Sequence, residues 1–116
     1  MTATLSHITF DCDDALAVAT FWSAALDRGI DPDATTQFAS IGLGGEAPAW
    51  LFVHVPEGKS AKNRTHVDLA APDPEAEISR LVGLGAVRIG DVEEAGDRWT
   101  VLHDPEGNEF CIAQGA

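Results

Sequence analysis

The residues best suited to chemistry lie near residue 110, where an acidic side chain and a thiol share one predicted strand. In an extended strand Glu109 and Cys111 point to one face, while Phe110 and Ile112 point to the other. A thiol among apolar groups keeps its proton and is inert, whereas a thiol beside an imidazole is activated as a thiolate. The function therefore depends on what the face of Cys111 contacts, and the sequence leaves both states open.

These two residues follow the turn of a predicted β-hairpin that spans residues 99–112. Two runs rich in β-branched and aromatic residues flank the segment Asp-Pro-Glu-Gly-Asn at 104–108. Proline sets φ for an early turn position, Gly107 or Asn108 can adopt a positive φ, and Asp104 can accept hydrogen bonds from backbone amides ahead of it. This turn chemistry predicts the start of the strand that carries Glu109 and Cys111.

The first half of the chain predicts the element order β-α-β-β-β. Leu5–Cys12 alternates as a half-buried strand, with Ile8, Phe10 and Cys12 on its apolar face. Asp13 or Asp14 is expected to cap a helix from Ala15 to about Leu26, which ends near Gly29. The predicted core stripe of the helix is Val18, Phe21, Trp22 and Ala25. Further strands are predicted at Ile30, Phe38–Leu43 and Trp50–Val55, with Phe38 in the core.

The second half predicts the same order. A strand at Thr65–Ala70 precedes Asp73 and Pro74, an N-cap followed by proline at the first helical position. The helix is expected to bury Ile78, Leu81 and Val82 and to end at Gly85. The elements that follow are a strand at Val87–Val92, a loop at Glu93–Asp97 and the hairpin.

The two halves form an internal repeat. His7 precedes Asp14 at the same spacing as His66 precedes Asp73, and the strand containing Phe52 aligns with the strand containing Phe110. Such a repeat predicts two modules related by a pseudo-twofold axis. We expect one domain over residues 1–116, with module one at about 5–55, a polar linker at 56–64 and module two at about 65–114.

Composition limits the classes of partner. The chain has 19 acidic residues against 7 lysines and arginines, a net charge of −12, which argues against binding to nucleic acid or an anionic membrane. The N-terminus lacks the basic start and apolar segment of a secretory signal, so a cytoplasmic location is expected. Cys12 and Cys111 are predicted to be reduced thiols packed in apolar strands.

The repeat, the opening histidines His7 and His66, and the hairpin at 99–110 resemble the vicinal oxygen chelate superfamily, which includes glyoxalases, extradiol dioxygenases and bleomycin-resistance proteins. The segment 62–69 adds to the resemblance, which is strongest to small glyoxalase-like domains. It implies an α+β fold in which two βαβββ modules form a half-open, cup-like mixed β-sheet cavity. It also implies a homodimer.

The resemblance implies a divalent metal (Zn, Ni, Fe or Mn) held by one histidine and one carboxylate from each module. His7 and His66 match the histidine positions, but Cys111 and Val53 stand at the carboxylate positions, which argues against a bound metal. Two sets of three ligands remain. One consists of His7, His66 and Glu109, and the other has the softer thiolate ligand of Cys111 in place of Glu109. The other histidines, His54 and His103, are expected to be structural or on the surface.

A small-molecule pocket is expected even without the metal, since the carboxylate positions hold small or apolar residues. Its predicted ligand-binding residues are Trp50, Val53, Trp99 and Cys111. We predict a small-molecule binding domain without an assigned reaction. One alternative is a metal-dependent lyase, isomerase or dioxygenase with Glu109 as catalytic base; another is sequestration of a cationic drug, as in bleomycin resistance.

Overall fold

The computed structural model describes residues 2–115, and they form an α+β fold, as predicted. Two helices and seven strands follow one another along the chain, and the strands form two open, mixed sheets. The chain divides into two compact units, Met1–Gly58 and Lys59–Ala116, called unit 1 and unit 2 below. The elements of unit 1 are β1 (His7–Cys12), α1 (Ala15–Leu26), β2 (Phe38–Ile41) and β3 (Ala49–His54). The elements of unit 2 are β4 (Val67–Ala71), α2 (Pro74–Gly83), β5 (Val87–Glu94), β6 (Asp97–His103) and β7 (Glu109–Gln114).

The sheet of unit 1 has the strand order β1-β3-β2, with β1 parallel and β2 antiparallel to β3. The strand predicted at Ile30 is reduced to a single bridge to Ile41. The next residue, Asp31, turns its carboxylate toward the β2–β3 turn, where it accepts hydrogen bonds from Gly42 N and Leu43 N. Because Asp31 caps this turn, the segment does not continue as a strand.

Helix α1 covers one face of the unit 1 sheet. The Asp14 carboxylate caps it by accepting a hydrogen bond from Ala17 N at 3.0 Å, and Asp27, with φ of 53°, ends it. The predicted range from Ala15 to about Leu26 is confirmed, but Asp27 rather than Gly29 ends the helix, because Asp27 takes the left-handed conformation first. The predicted stripe is confirmed as buried: Val18, Phe21, Trp22 and Ala25.

Aromatic rings fill the space between α1 and the sheet. The Trp22 ring has centroid distances of 5.5 Å to Phe10, 5.2 Å to Phe21 and 5.4 Å to Trp50. Phe38, however, is 40% exposed, so its prediction as a core residue was wrong. It pairs with Val53 across β2 and β3, and strand alternation places both on the sheet face opposite α1.

The sheet of unit 2 has the strand order β4-β7-β6-β5, with β4 parallel to β7 and the other neighbours antiparallel. The predicted loop at Glu93–Asp97 is instead a two-residue hairpin turn, because β5 runs to Glu94 and β6 starts at Asp97. Ala95 and Gly96 have φ of 53° and 86°, as a tight turn between twisted strands requires. An alanine in the sequence does not indicate a positive φ, so this turn was not predicted.

Helix α2 packs on the unit 2 sheet through a narrower buried face than that of α1. The Asp73 carboxylate accepts a hydrogen bond from Ala76 N at 3.2 Å, as predicted, and the helix buries Ile78 and Leu81. Val82 was predicted to be buried as well, but it is 44% exposed. The helix is only ten residues long, and its contact with the sheet is confined to one stripe that Val82 lies outside.

The β6–β7 turn has the predicted chemistry. Asp104 is 2% exposed, and its Oδ1 accepts hydrogen bonds from Glu106 N at 2.9 Å and Asn108 N at 3.0 Å. The Asn108 amide also donates to Asp104 Oδ2 at 3.0 Å, and Gly107 has the expected positive φ of 87°. The turn therefore sets the register of β7 against β6.

No helix within residues 2–115 combines the length and the apolar character that crossing a bilayer requires.

Candidate functional site

The candidate site is the face of the unit 2 sheet opposite α2, called the open face below. Parallel pairing sets Asp68 of β4 beside Cys111 of β7, and antiparallel pairing sets Val101 of β6 on the other side of Cys111. Glu109 lies two residues before Cys111 on the same face of β7, and it pairs with His103 of β6. Phe110 and Ile112 are buried on the α2 side, so the predicted alternation of β7 is confirmed. Cys111 thus occupies the centre of the open face.

An open pocket of about 500 Å³ covers this face. Trp99, Val92 and Val101 give it apolar walls, and the polar groups lie on the β4 side and the linker side. The residues that line it are Lys62, His66, Asp68, Val92, Trp99, Val101, Glu109 and Cys111. An apolar surface with a few convergent polar groups is the usual form of a small-molecule site.

Three possible metal ligands meet in this pocket. One ligand atom from each of His66, Asp68 and Cys111 lies within 4.8 Å of the others. His66 Nε2 lies 3.4 Å from Asp68 Oδ1, and these side chains are 41% and 73% exposed. Sequence reasoning missed Asp68, although strand alternation after His66 placed it on the same face and could have identified it.

Glu109 is held by the linker. Its Oε2 accepts a hydrogen bond from Asn63 N at 2.8 Å, and its Oε1 lies 3.3 Å from Lys59 Nζ and 4.0 Å from His103 Nε2. Burial acts to raise the pKa of Glu109, but the hydrogen bond from Asn63 and the charge of Lys59 outweigh it, so the pKa lies below its usual value. The side chain is ionised near neutral pH and ties the linker to β7. Its predicted role as base or metal ligand stays a prediction.

Cys111 is a protonated thiol near neutral pH. Burial is the largest cause of its raised pKa, and the negative charge of Asp68 raises the pKa further, whereas Lys62 opposes the shift. The side chain is 5% exposed at the floor of the pocket. Between the two states left open by the sequence, this environment favours the neutral thiol over an activated thiolate.

The predicted site residues of unit 1 have different surroundings. His7 is exposed at the start of β1, and Val53 lies half-buried on the sheet face opposite α1. Trp50 packs among the rings beneath α1 and is 9% exposed. The ligand-binding roles of Trp50 and Val53 and the ligand sets that combine His7 with His66 stay predictions.

His54 and the two cysteines fit their predicted structural roles. His54 Nδ1 lies 2.7 Å from the carbonyl oxygen of Asp13, which ties β3 to the start of α1. Cys12 and Cys111 form no disulfide within residues 2–115, and Cys12 Sγ donates to the Val53 carbonyl at 3.5 Å. Both cysteines are therefore buried thiols, as predicted.

The sequence matches the glyoxalase-like domain family over residues 7–113. This match covers nearly all of the chain, and the fold has the two-module order that the resemblance implies. The chain therefore belongs to the glyoxalase-like domain family, within the vicinal oxygen chelate superfamily. The sequence has no significant match among curated proteins.

Solved structures share the fold at low identity. A glyoxalase/bleomycin resistance protein/dioxygenase family enzyme from Burkholderia phytofirmans is 19% identical, with 97% of this chain and 98% of that chain covered and a TM-score of 0.76. A fosfomycin resistance protein from Listeria monocytogenes is 14% identical, with coverage of 100% and 96% and a TM-score of 0.74. The bleomycin-binding protein from Streptomyces verticillus is 19% identical, with both chains fully covered and a TM-score of 0.65. At these identities the likeness establishes the fold alone.

The residues of unit 2 fit a divalent metal only in part. The carboxylate that the resemblance expects on the last strand is replaced by Cys111, and both Glu109 oxygens already contact Lys59 or Asn63. The donors that do meet are one imidazole, one carboxylate and one thiol. Such a mixed set suits a borderline-soft ion better than a hard ion that prefers oxygen ligands.

Proposed function

We propose that the open-face pocket of unit 2 binds a small organic molecule that carries an aromatic ring and a positive charge. The observation behind this proposal is the pocket itself, where Trp99 and Val101 form apolar surface beside the exposed carboxylate of Asp68. The ring would lie against Trp99, and the cationic group would approach Asp68. No covalent step is part of this proposal.

Charge supports a cationic ligand. The net charge of −12 gives the chain a long-range attraction for cations, which raises their rate of encounter. Lys62 also lines the pocket, but Asp68 and Glu109 line it too, so the local balance is not basic. The structural likeness to a protein named as bleomycin-binding is in keeping with this class of ligand.

A metal-dependent lyase, isomerase or dioxygenase reaction stays a prediction from the resemblance. Its predicted base, Glu109, has a lowered pKa and an ion pair with Lys59, and both features weaken a carboxylate as a base near neutral pH. The binding proposal therefore comes first.

The proposal is tested with two aromatic dyes of opposite charge, thioflavin T as the cation and anilinonaphthalene sulfonate as the anion. We expect thioflavin T to bind more tightly, and Trp99→Ala to weaken its binding by about tenfold or more, as the loss of an aromatic contact predicts. Asp68→Asn should weaken the binding of the cationic dye but not the binding of the anionic dye. Isothermal titration calorimetry measures the affinity of each variant for each dye.

The matched control is Leu43→Ala, which removes an apolar side chain, 49% exposed, from unit 1. It should leave the affinity for thioflavin T unchanged. Equal affinities of the parent and Trp99→Ala for thioflavin T, or tighter binding of the anionic dye, would refute the proposal.

We also propose that the protein is a cytoplasmic homodimer without a nucleic-acid or membrane partner. The homodimer follows from the resemblance, and exposed Val87 and Ile89 on the edge strand β5 are apolar surface that a second copy could cover. Sedimentation velocity at two concentrations tests it, since a purely monomeric species at both would contradict the dimer.

A further inference from the structure

We propose that His66, Asp68 and Cys111 form a binding site for Zn²⁺ within unit 2. The site needs neither His7 nor any other residue of unit 1, and it uses an aspartate outside the ligand positions that the resemblance implies. It also goes beyond the proposed binding function, because the metal would bind without the organic ligand.

The backbone brings the three donors together. Asp68 and Cys111 are direct partners in the parallel β4–β7 pairing, and His66 immediately precedes β4 on the side of Asp68. Cys111 is fixed in a central strand and 5% exposed, so it is the rigid member of the set. The exposed side chains of His66 and Asp68 can rotate toward it.

The distances are close to those of a bound ion. The three ligand atoms lie within 4.8 Å of one another. Metal–ligand bonds of about 2.0–2.3 Å in a tetrahedral site put ligand atoms roughly 3.3–3.7 Å apart. The side chains of His66 and Asp68 are exposed, and their rotation would close this difference.

The donor types select the metal. A nitrogen, an oxygen and a sulfur ligand suit Zn²⁺, whereas Mn²⁺ and Mg²⁺ prefer sites made of oxygen donors. Zn²⁺ would replace the proton of the Cys111 thiol, which passes to solvent. Three protein ligands leave one position of a tetrahedral ion open toward the pocket, where water would complete the coordination.

Glu109 does not compete for the ion as the chain stands. One of its oxygens accepts the Asn63 amide proton and the other lies against Lys59. Recruiting Glu109 would break both contacts and release the linker from β7. The structure therefore favours Asp68 over Glu109 as the carboxylate ligand.

The experiment uses the full chain, stripped of metal with a chelator under reducing conditions. Zn²⁺ is titrated by calorimetry, and Co²⁺ is added as a spectroscopic substitute. We expect one Zn²⁺ per chain, binding of Mn²⁺ that is weaker by at least about tenfold, and a thiolate-to-cobalt charge-transfer band in the near ultraviolet.

Three variants locate the site. Cys111→Ser should abolish the cobalt charge-transfer band. Asp68→Asn should weaken Zn²⁺ binding by at least about tenfold, since the loss of a residue that only orients a metal ligand already costs about that much. Cys12→Ser is the matched control, because Cys12 is also a buried strand cysteine but belongs to unit 1. It should keep both the band and the affinity.

The outcomes separate this inference from the proposed function. Zn²⁺ binding that survives both Cys111→Ser and Asp68→Asn, or the absence of the band in the parent protein, overturns the metal site. Asp68 is exposed, so Asp68→Asn stays informative if Cys111→Ser fails to fold. A protein that binds thioflavin T but not Zn²⁺ overturns only the metal site, and the reverse result overturns only the dye-binding proposal.

Discussion

Unit 1 and unit 2 both pair their first strand in parallel with their last, but the unit 1 sheet has three strands and the unit 2 sheet has four. They also differ in the face of the sheet that carries their distinctive residues. In unit 1 the large rings of Trp22, Trp50 and Phe52 are buried on the side of α1. In unit 2 the helix face is smaller, and His66, Asp68, Glu109 and Cys111 gather on the opposite face. A repeated pairing of strands therefore does not determine which face of a sheet carries the reactive side chains.

Single positions account for much of this difference. The repeat aligns Leu51 and Val53 of β3 with Glu109 and Cys111 of β7. The apolar pair has no group that binds a metal or an ionised linker residue, whereas the polar pair provides a carboxylate and a thiol. Unit 1 therefore has a larger role in packing, and unit 2 provides the candidate site.

The substitution with the largest expected effect tests whether the two units differ in their contribution to stability as well as in chemistry. Trp22→Ala removes a fully buried ring that contacts three others, so it should lower the free energy of unfolding by about 3–5 kcal/mol. Trp99→Ala should cost clearly less stability because Trp99 lies on the open face. Urea unfolding measures both, and equal losses would show that the two positions do not differ in their contribution to stability.

The next largest effect is expected at the turns that precede β3 and β7, and two substitutions compare them. Asp104 is buried and its carboxylate accepts several hydrogen bonds, so Asp104→Ala should cost about 2–3 kcal/mol. Asp31→Ala removes the carboxylate that caps the β2–β3 turn, which is less buried, and it should cost less. Thermal and urea unfolding of the two variants give the order, and a larger loss for Asp31→Ala would contradict it.

A smaller effect is expected at the linker, which unit 2 holds through the carboxylate of Glu109. Glu109→Gln keeps the shape of the side chain but removes the charge facing Lys59, at a cost of about 1 kcal/mol. Trypsin should then cut faster at Lys59, Lys62 or Arg64 in the native protein. Glu106→Gln, on the neighbouring turn, is the control, and equal cleavage rates for parent and Glu109→Gln would show that Glu109 does not anchor the linker.

The smallest effect is a pH dependence in unit 2. Hydrogen bonds from Thr100, Arg98 and Arg88 lower the pKa of Asp91 to about 2, from an ordinary value of 3.8. A lowered folded-state pKa stabilises the fold above pH 3.8, and this stabilisation is lost as the pH falls toward 2. The difference in urea midpoint between the parent and Asp91→Asn should therefore be full at pH 6 and shrink between pH 4 and pH 2. A constant difference would rule out this network as its source.

Local rules predicted much of the fold. Periodicity identified the buried stripe of α1, and turn residues identified the hairpin that sets the faces of β7. The rules failed where the surroundings decide: Val82 continues a helical stripe but is exposed, and Phe38 is an aromatic strand residue on the face opposite the helix.

The candidate site was harder to predict, because it depends on pairing between distant strands. Cys111 and His66 were identified, but Asp68 joins them only when β4 lies parallel to β7 in the observed register. The partners of Glu109 come from the linker, whose sequence has no periodicity that would place Asn63 or Lys59 against β7. Neither contact follows from local spacing.

The strand order also determines how each sheet can assemble. β1 pairs with β3, and β4 pairs with β7, so the first and last strands of each unit lie side by side. Each parallel pair must close a long loop that contains its own helix, whereas the β5–β6 hairpin can form locally. During synthesis, unit 1 can complete its sheet once β3 has emerged, but unit 2 must wait for β7. A backbone cut in the linker would spare every strand pairing described for either sheet, while a cut between β1 and β3 would turn that parallel pairing into an association of two separate chains.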